Sequence, residues 1–276
     1  MVPPTCCVPL SRGSQIPVFR LKFAEMDLTN IKEQYHQLGP WLIKTTESHI
    51  LNASGDEREL FESKLDLPCT PEMLFSKNSL SLSLRQDEKE AKIEFLALDA
   101  LKLVDKSKVH VQVPAAKQWS RPHFHKYSIL NPFDWTFSTT YSGTTTGDWL
   151  VQSTLEGLDQ KFIRSRDPIL LFGSINLFED ELGDNGISLL NVKIRVMPTG
   201  FFVLQRFFLR VDGCLLRIWD TRLQWRLGDK YVLREVKRLD SEMWLPTMVG
   251  VQADDAEQLC KQVVEHRTEK LFPELL

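Results

Sequence analysis

Cysteine is scarce in this chain, five in 276 residues. Cys6 and Cys7 are adjacent, Cys69, Cys214 and Cys260 stand apart, and no CxxC pair occurs. That spacing excludes a disulfide framework and a paired-cysteine zinc module. Thiols this sparse are expected to stay reduced, in the cytoplasm or the nucleus. Long apolar runs are missing too: nothing approaches the roughly 18 consecutive apolar residues of a membrane span. The opening MVPPTCCVPL has no basic n-region and is broken by prolines, so no secretory signal is expected. An excess of either charge is also lacking. Lys and Arg number 34 against 37 Asp and Glu, for a net charge of −3. That balance argues against a nucleic acid or a membrane surface as partner. GxGxxG, GxxxxGK[ST], GxSxG and HExxH are all absent, which removes the common nucleotide, hydrolase and zinc-protease signatures. The expectation is a chain without catalytic chemistry, metal or cofactor.

Hydrophobic residues make up 42% of the chain, enough for a sizeable core. Residues 1–35 read as an N-terminal extension and 36–276 as one domain. Asn30 with Glu33 resembles a capping box, and Gly39-Pro40 would close a short helix over 31–38. A second helix should follow Asp56 and stop before Pro68, and a third should start at Thr70-Pro71. Alternating segments at 80–84, 93–98 and 109–113, and the β-branched, aromatic run 136–141, read as strands. After Asp254-Asp255, the residues Ala256, Leu259, Cys260, Val263 and Val264 follow helical spacing. The fold class expected is α+β, a mainly antiparallel sheet with flanking helices.

The stretch 177–222 is the most informative. Asp184-Asn185-Gly186 and Asp212-Gly213 carry residues that accept positive φ and mark hairpin turns. Between them Val192, Lys193, Ile194, Arg195 and Val196 alternate apolar and cationic side chains. A two-residue turn at Asp212-Gly213 would set Val211 against Cys214, Leu209 against Leu216, Phe207 against Ile218 and Gln205 against Asp220. Phe207, Leu209, Leu216 and Ile218 would then share a buried face. The other face would carry Arg206, Phe208 and Arg210 against Leu215, Arg217 and Trp219, able to stack on rings, bind acidic groups or contact phosphate. A one-residue slip would exchange the faces.

Candidate chemistry is thin. His123 and His125 could ligate a metal together with the Glu179, Asp180, Glu181 and Asp184 cluster, as in a metal-dependent hydrolase. Flanking cations oppose a metal there, and the acidic spacing lacks the EF-hand pattern. Arg206, Arg210 and Arg217 could serve a phospho-ligand or nucleic-acid module, but a layer covered by other elements fits the acidic chain better. Asp220 could be a strand-end carboxylate paired with Arg222.

Several blocks together resemble a known family. They are Gly39-Pro40-Trp41 and Ser48-His49-Ile50; Leu67-Pro68 and 71–75; Ile93-Glu94-Phe95 and 98–101; 132–136 with Tyr141 and Gly143-Thr144; and the run 177–223, with FEDEL at 178–182 and 192–198. In this order over 38–246 they resemble the TIPRL family of TOR signalling regulators. The resemblance implies a non-catalytic protein that binds the catalytic subunits of type 2A, type 4 and type 6 Ser/Thr phosphatases, lowers or redirects their activity, and is linked to an alpha-4-type phosphatase-associated protein. It places contact with the phosphatase C-terminal tail on Asp99, Leu158, Ile218 and Asp220. Leu96, Thr140 and Ser142 depart from the family's usual Asn, Asp and basic residue, and Ile218 stands where Met is frequent.

Overall fold

The structure, a computed structural model, describes residues 31–86, 88–105, 136–212, 215–242, 253 and 262–274. Two antiparallel sheets form its frame. The smaller has the order β1-β2-β4-β5-β6, from β1 (Lys32–Leu38), β2 (Trp41–Glu47), β4 (Ser79–Gln86), β5 (Lys89–Leu96) and β6 (Thr144–Thr146). The larger has eight strands: β3 (Met73–Leu74), β7 (Trp149–Ser153), β8 (Leu171–Asp180), β9 (Gly186–Met197), β10 (Gly200–Val211), β11 (Leu215–Arg226), β12 (Val232–Glu242) and β13 (Gln262–Pro273). They run β3-β8-β9-β10-β11-β12-β13-β7, so β8 to β13 are sequential neighbours. Among the described residues three short α-helices accompany them: α1 (Asp56–Glu62), α2 (Ala97–Lys102) and α3 (Gln160–Ile163). The mainly antiparallel α+β class is what the sequence led us to expect.

Alternation builds the core. Trp41, Ile43, Leu80, Leu82, Ile93 and Phe95 of the smaller sheet share one buried cluster with Leu177, Leu190, Val192, Val203, Phe207 and Leu209 of the larger. The sheets therefore pack face to face, each giving every second side chain to the layer between them. Trp41 packs edge-on against Phe201 and Trp225, with ring centroids 5.7 and 6.2 Å away. The outer face of the larger sheet has a smaller cluster of Phe208, Leu216, Ile218 and Leu239, with Ile187, Leu189 and Ala253 packed against it.

The register of the β10–β11 hairpin corrects the expected one. Val211 lies opposite Leu215, so three residues, 212–214, make the turn instead of two. The slip of one residue turns β11 over: Leu209 faces Arg217, Phe208 faces Ile218, Phe207 faces Trp219 and Arg206 faces Asp220. Phe207, Leu209, Leu216 and Ile218 are all buried, but on opposite sides of the sheet, two in each cluster.

Other expectations divide. The helix after Asp56 and the strands at 80–84 and 93–96 are present, while Leu98 lies in α2. The segment expected as a helix over 31–38 is β1. It pairs along its length with β2 through the turn at Gly39, whose φ is +55°, so what read as a helix stop is a hairpin corner. No helix starts at Thr70-Pro71; β3 follows. Val263 and Val264 lie in β13, where pairing with β12 overrides the helical spacing. The run 136–141 is buried except at Thr140 and is not a strand; its β-pairing is one isolated bridge, Thr139 with Val104 just after α2. The expected strand at 109–113 and residues 256–261 of the expected last helix lie outside the described residues. So does most of the extension, although β1 already begins at Lys32.

Candidate partner-binding site

Ile218 and Asp220 stand two apart on β11, on the outer face of the larger sheet. The register puts Arg206 directly opposite Asp220. The guanidinium grips the carboxylate in a fork: Nε donates to Oδ1 and Nη2 to Oδ2, each at 2.7 Å. Arg222 Nη2 adds a bond to Oδ2 at 2.9 Å, the pairing that the sequence offered as an alternative. Arg222 reaches Glu235 at 3.3 Å, and Glu235 reaches His266 at 3.0 Å. A ladder of ion pairs thus crosses β10 to β12 and ends in a hydrogen bond to His266 on β13. Asp220 is 1% exposed and Arg206 6%. The Asp220 carboxylate, which the resemblance assigned to contact with the phosphatase tail, is closed within the sheet face. The remaining nitrogen of Arg206, Nη1, donates to the Ala253 carbonyl at 2.8 Å. Ile218 is fully buried in the outer cluster.

Leu158 is buried immediately ahead of α3. Its neighbour Asp159 caps that helix, accepting from the amides of Lys161 and Phe162, and the Phe162 amide foremost holds the Asp159 carboxyl below the ordinary carboxylate range. The Asp159 amide donates to Gln224 Oε1 at 2.9 Å, and Gln224 lies on the same side of β11 as Ile218 and Asp220. The segment that carries Leu158 is therefore tied, through Asp159, to the strand face of Ile218 and Asp220. Asp99 belongs elsewhere. It sits in the first turn of α2, accepts from Thr144 Oγ1 at 2.7 Å, and lies 3.6 Å from Lys102. Thr144 in turn meets the Tyr141 hydroxyl at 3.0 Å. Burial pushes that phenol up to about 12. With its side chain 26% exposed, Asp99 is the most accessible of the four.

The alternative sites come apart. Arg206, Arg210 and Arg217 do not share a face, and each has a carboxylate: Asp220, Asp212 and Asp240. Burial opposes ionisation of Asp240, yet the hydrogen bonds from Arg238 and Arg217 hold its carboxyl below the ordinary value. In the acidic cluster, the Asp180 carboxylate is occupied by the amides of Glu72 and Leu182. His123 and His125 lie outside the described residues. Among the described residues no group of three or more His, Cys, Asp or Glu is arranged to hold a metal. Sequence reasoning missed Arg206 as the partner of Asp220. Its only signal was an Arg and an Asp equidistant from a three-residue turn.

Comparison with known proteins bears on the same strands. The model of the TIP41-like family matches residues 73–244, from β3 to the end of β12. The chain belongs to the TIP41-like family. This is the family that the sequence blocks resembled. A TIP41-like protein of Homo sapiens is 37% identical over 247 residues, covering 86% of this chain and 89% of that protein. One of Caenorhabditis elegans is 39% identical over 219 residues, 74% and 76% of the two chains. The type 2A phosphatase activator TIP41 of Saccharomyces cerevisiae is 34% identical over 232 residues, 74% of this chain and 62% of that one. Family membership covers the β11 face, α2 and the capped α3 alike.

Proposed function

We propose that this chain is a non-catalytic regulator of type 2A Ser/Thr protein phosphatases. One observation carries the reading: similarity across three quarters of the chain to a yeast protein named a type 2A phosphatase activator. In this reading the chain binds the catalytic subunit, and the related type 4 and type 6 subunits, in the cytoplasm, within TOR signalling and near an alpha-4-type associated protein. Asp99, Leu158, Ile218 and Asp220 serve the contact with the phosphatase C-terminal tail. Asp99 offers a carboxylate directly, whereas Asp220 acts through the guanidiniums that it holds. The resemblance implied inhibition, and the yeast relatives are named activators; turnover of a phosphopeptide by the catalytic subunit, with and without this chain, decides the sign.

The binding test uses Asp99→Asn, which keeps size and shape at an accessible position. Loss of one charged hydrogen bond should weaken binding to the purified catalytic subunit by about tenfold or more, with an unchanged melting temperature. Removing the last residues of the phosphatase should overlap with that loss rather than add to it. Failure to form any complex at about 10 μM of each protein would remove the phosphatase reading.

A further inference from the structure

We propose that the outer face of the larger sheet carries, between α3 and strands β8–β10, a docking pocket for an acidic segment of a partner protein bearing one bulky apolar side chain. The pocket has a volume of about 210 Å³, and Ile163, Phe172, Phe202 and Leu204 line it together with Lys193 and Arg195. It is smaller than the roughly 300–1,000 Å³ of small-molecule sites, so it suits one or two side chains rather than a cofactor. Phe172 is 57% exposed, and Ile169 and Leu170 just before β8 are also exposed. Apolar surface concentrated in this way marks interaction sites.

Charge specifies the partner. Besides Lys193 and Arg195 in the wall, the segment that frames the pocket carries Lys161, Arg164 and Arg166, all exposed and none in an ion pair among the described residues. The nearby acids are engaged: Asp159 caps α3 and pairs with Arg226, and Asp167 accepts from Thr199. Arg195 Nη2 donates to the carbonyls of Phe162 and Ile163, which fixes the guanidinium against α3. Its Nε–H is buried with no acceptor. An apolar anchor flanked by carboxylates matches this wall in both respects. The pocket shares the outer face with Ile218 and Asp220, Leu204 pairing with Arg222 and α3 following Leu158, but its lining and charge do not depend on the phosphatase reading.

The test uses the full chain and a fluorescein-labelled peptide of aspartates and glutamates around one phenylalanine, with photoreactive benzoylphenylalanine at that position for mapping. Binding at low salt should weaken about tenfold with Phe172→Ser and with Arg164→Glu/Arg166→Glu, and should be unchanged by Leu150→Ser on β7. Crosslinks should fall within residues 163–204. Each of four results would overturn the proposal: no binding up to about 1 mM, equal binding when the peptide phenylalanine is alanine, equal binding of a neutral peptide, or crosslinks elsewhere. Tighter binding of an oligonucleotide, lost in the same variants, would assign the cations to nucleic acid and also overturn it.

Discussion

Asp220 shows how one residue's role depends on what stands opposite. Held by Arg206 and Arg222 and almost closed to water, it is half of a buried ion pair. Breaking such a pair from one side leaves a buried charge without its counterpart. Asp220→Asn is therefore expected to cost about 3–5 kcal/mol in urea unfolding. A cost below about 0.5 kcal/mol, typical of surface substitutions, would mean that water reaches the pair. Arg206→Met combined with Asp220→Leu should recover much of the loss, because well-packed apolar replacements dispense with desolvating either charge. Any loss of partner binding in Asp220→Asn must accordingly be read beside its stability. Asp99 is the cleaner probe, being partly exposed and away from that pair.

At the scale of the element, the β10–β11 hairpin makes the sharpest claim. Leu209 belongs to the layer between the sheets and Leu216 to the outer cluster. Each truncation to alanine should cost about 2–5 kcal/mol. Because the two side chains lie on opposite faces with separate neighbours, the double variant should cost the sum, within about 0.5 kcal/mol. A non-additive result would restore the two-residue turn, in which the pair is in contact. The β9–β10 corner gives a second check. Gly200 has φ +155°, and a Cβ there would meet the Trp225 carbonyl at 2.2 Å. Gly200→Ala should cost at least about 1–3 kcal/mol in thermal unfolding, since neither backbone can yield without loosening β10 or β11.

For the whole molecule, the irregular run 136–141 ties the sheets together by polar contacts. Tyr141 OH donates to the Glu94 carbonyl on β5, and Gln205 on β10 donates from Nε2 to the Tyr141 carbonyl. Burial raises this phenol from 10.0 to about 12. Between those values the unfolded chain has released a proton that the folded chain keeps, so stability falls as pH rises. The contribution is intact below about pH 10 and lost through about pH 12, and a shift of this size corresponds to about 2–3 kcal/mol. Tyr141→Phe should flatten that part of the stability profile in urea titrations; an unchanged slope would show that the phenol titrates normally.

By itself the sequence determined the antiparallel class, the burial of Phe207, Leu209, Leu216 and Ile218, and the family. Alternation along β9 is a local pattern that survives any register, and the blocks in 38–246 identify a lineage without reference to coordinates. The candidate positions came from that resemblance, whereas their surroundings did not. Whether the turn after Val211 holds two residues or three decides whether Leu216 and Ile218, or Arg217 and Trp219, share a face with Phe207 and Leu209. It also decides whether Asp220 meets Gln205 or Arg206, and one residue of chain carries too little local preference to fix it. β1 and β13 are strands because β2 and β12 offer them pairing partners, which no spacing within either segment records. Tertiary structure alone decided the pairing of charges across β10 to β13, since a cross-strand contact joins residues that the chain separates.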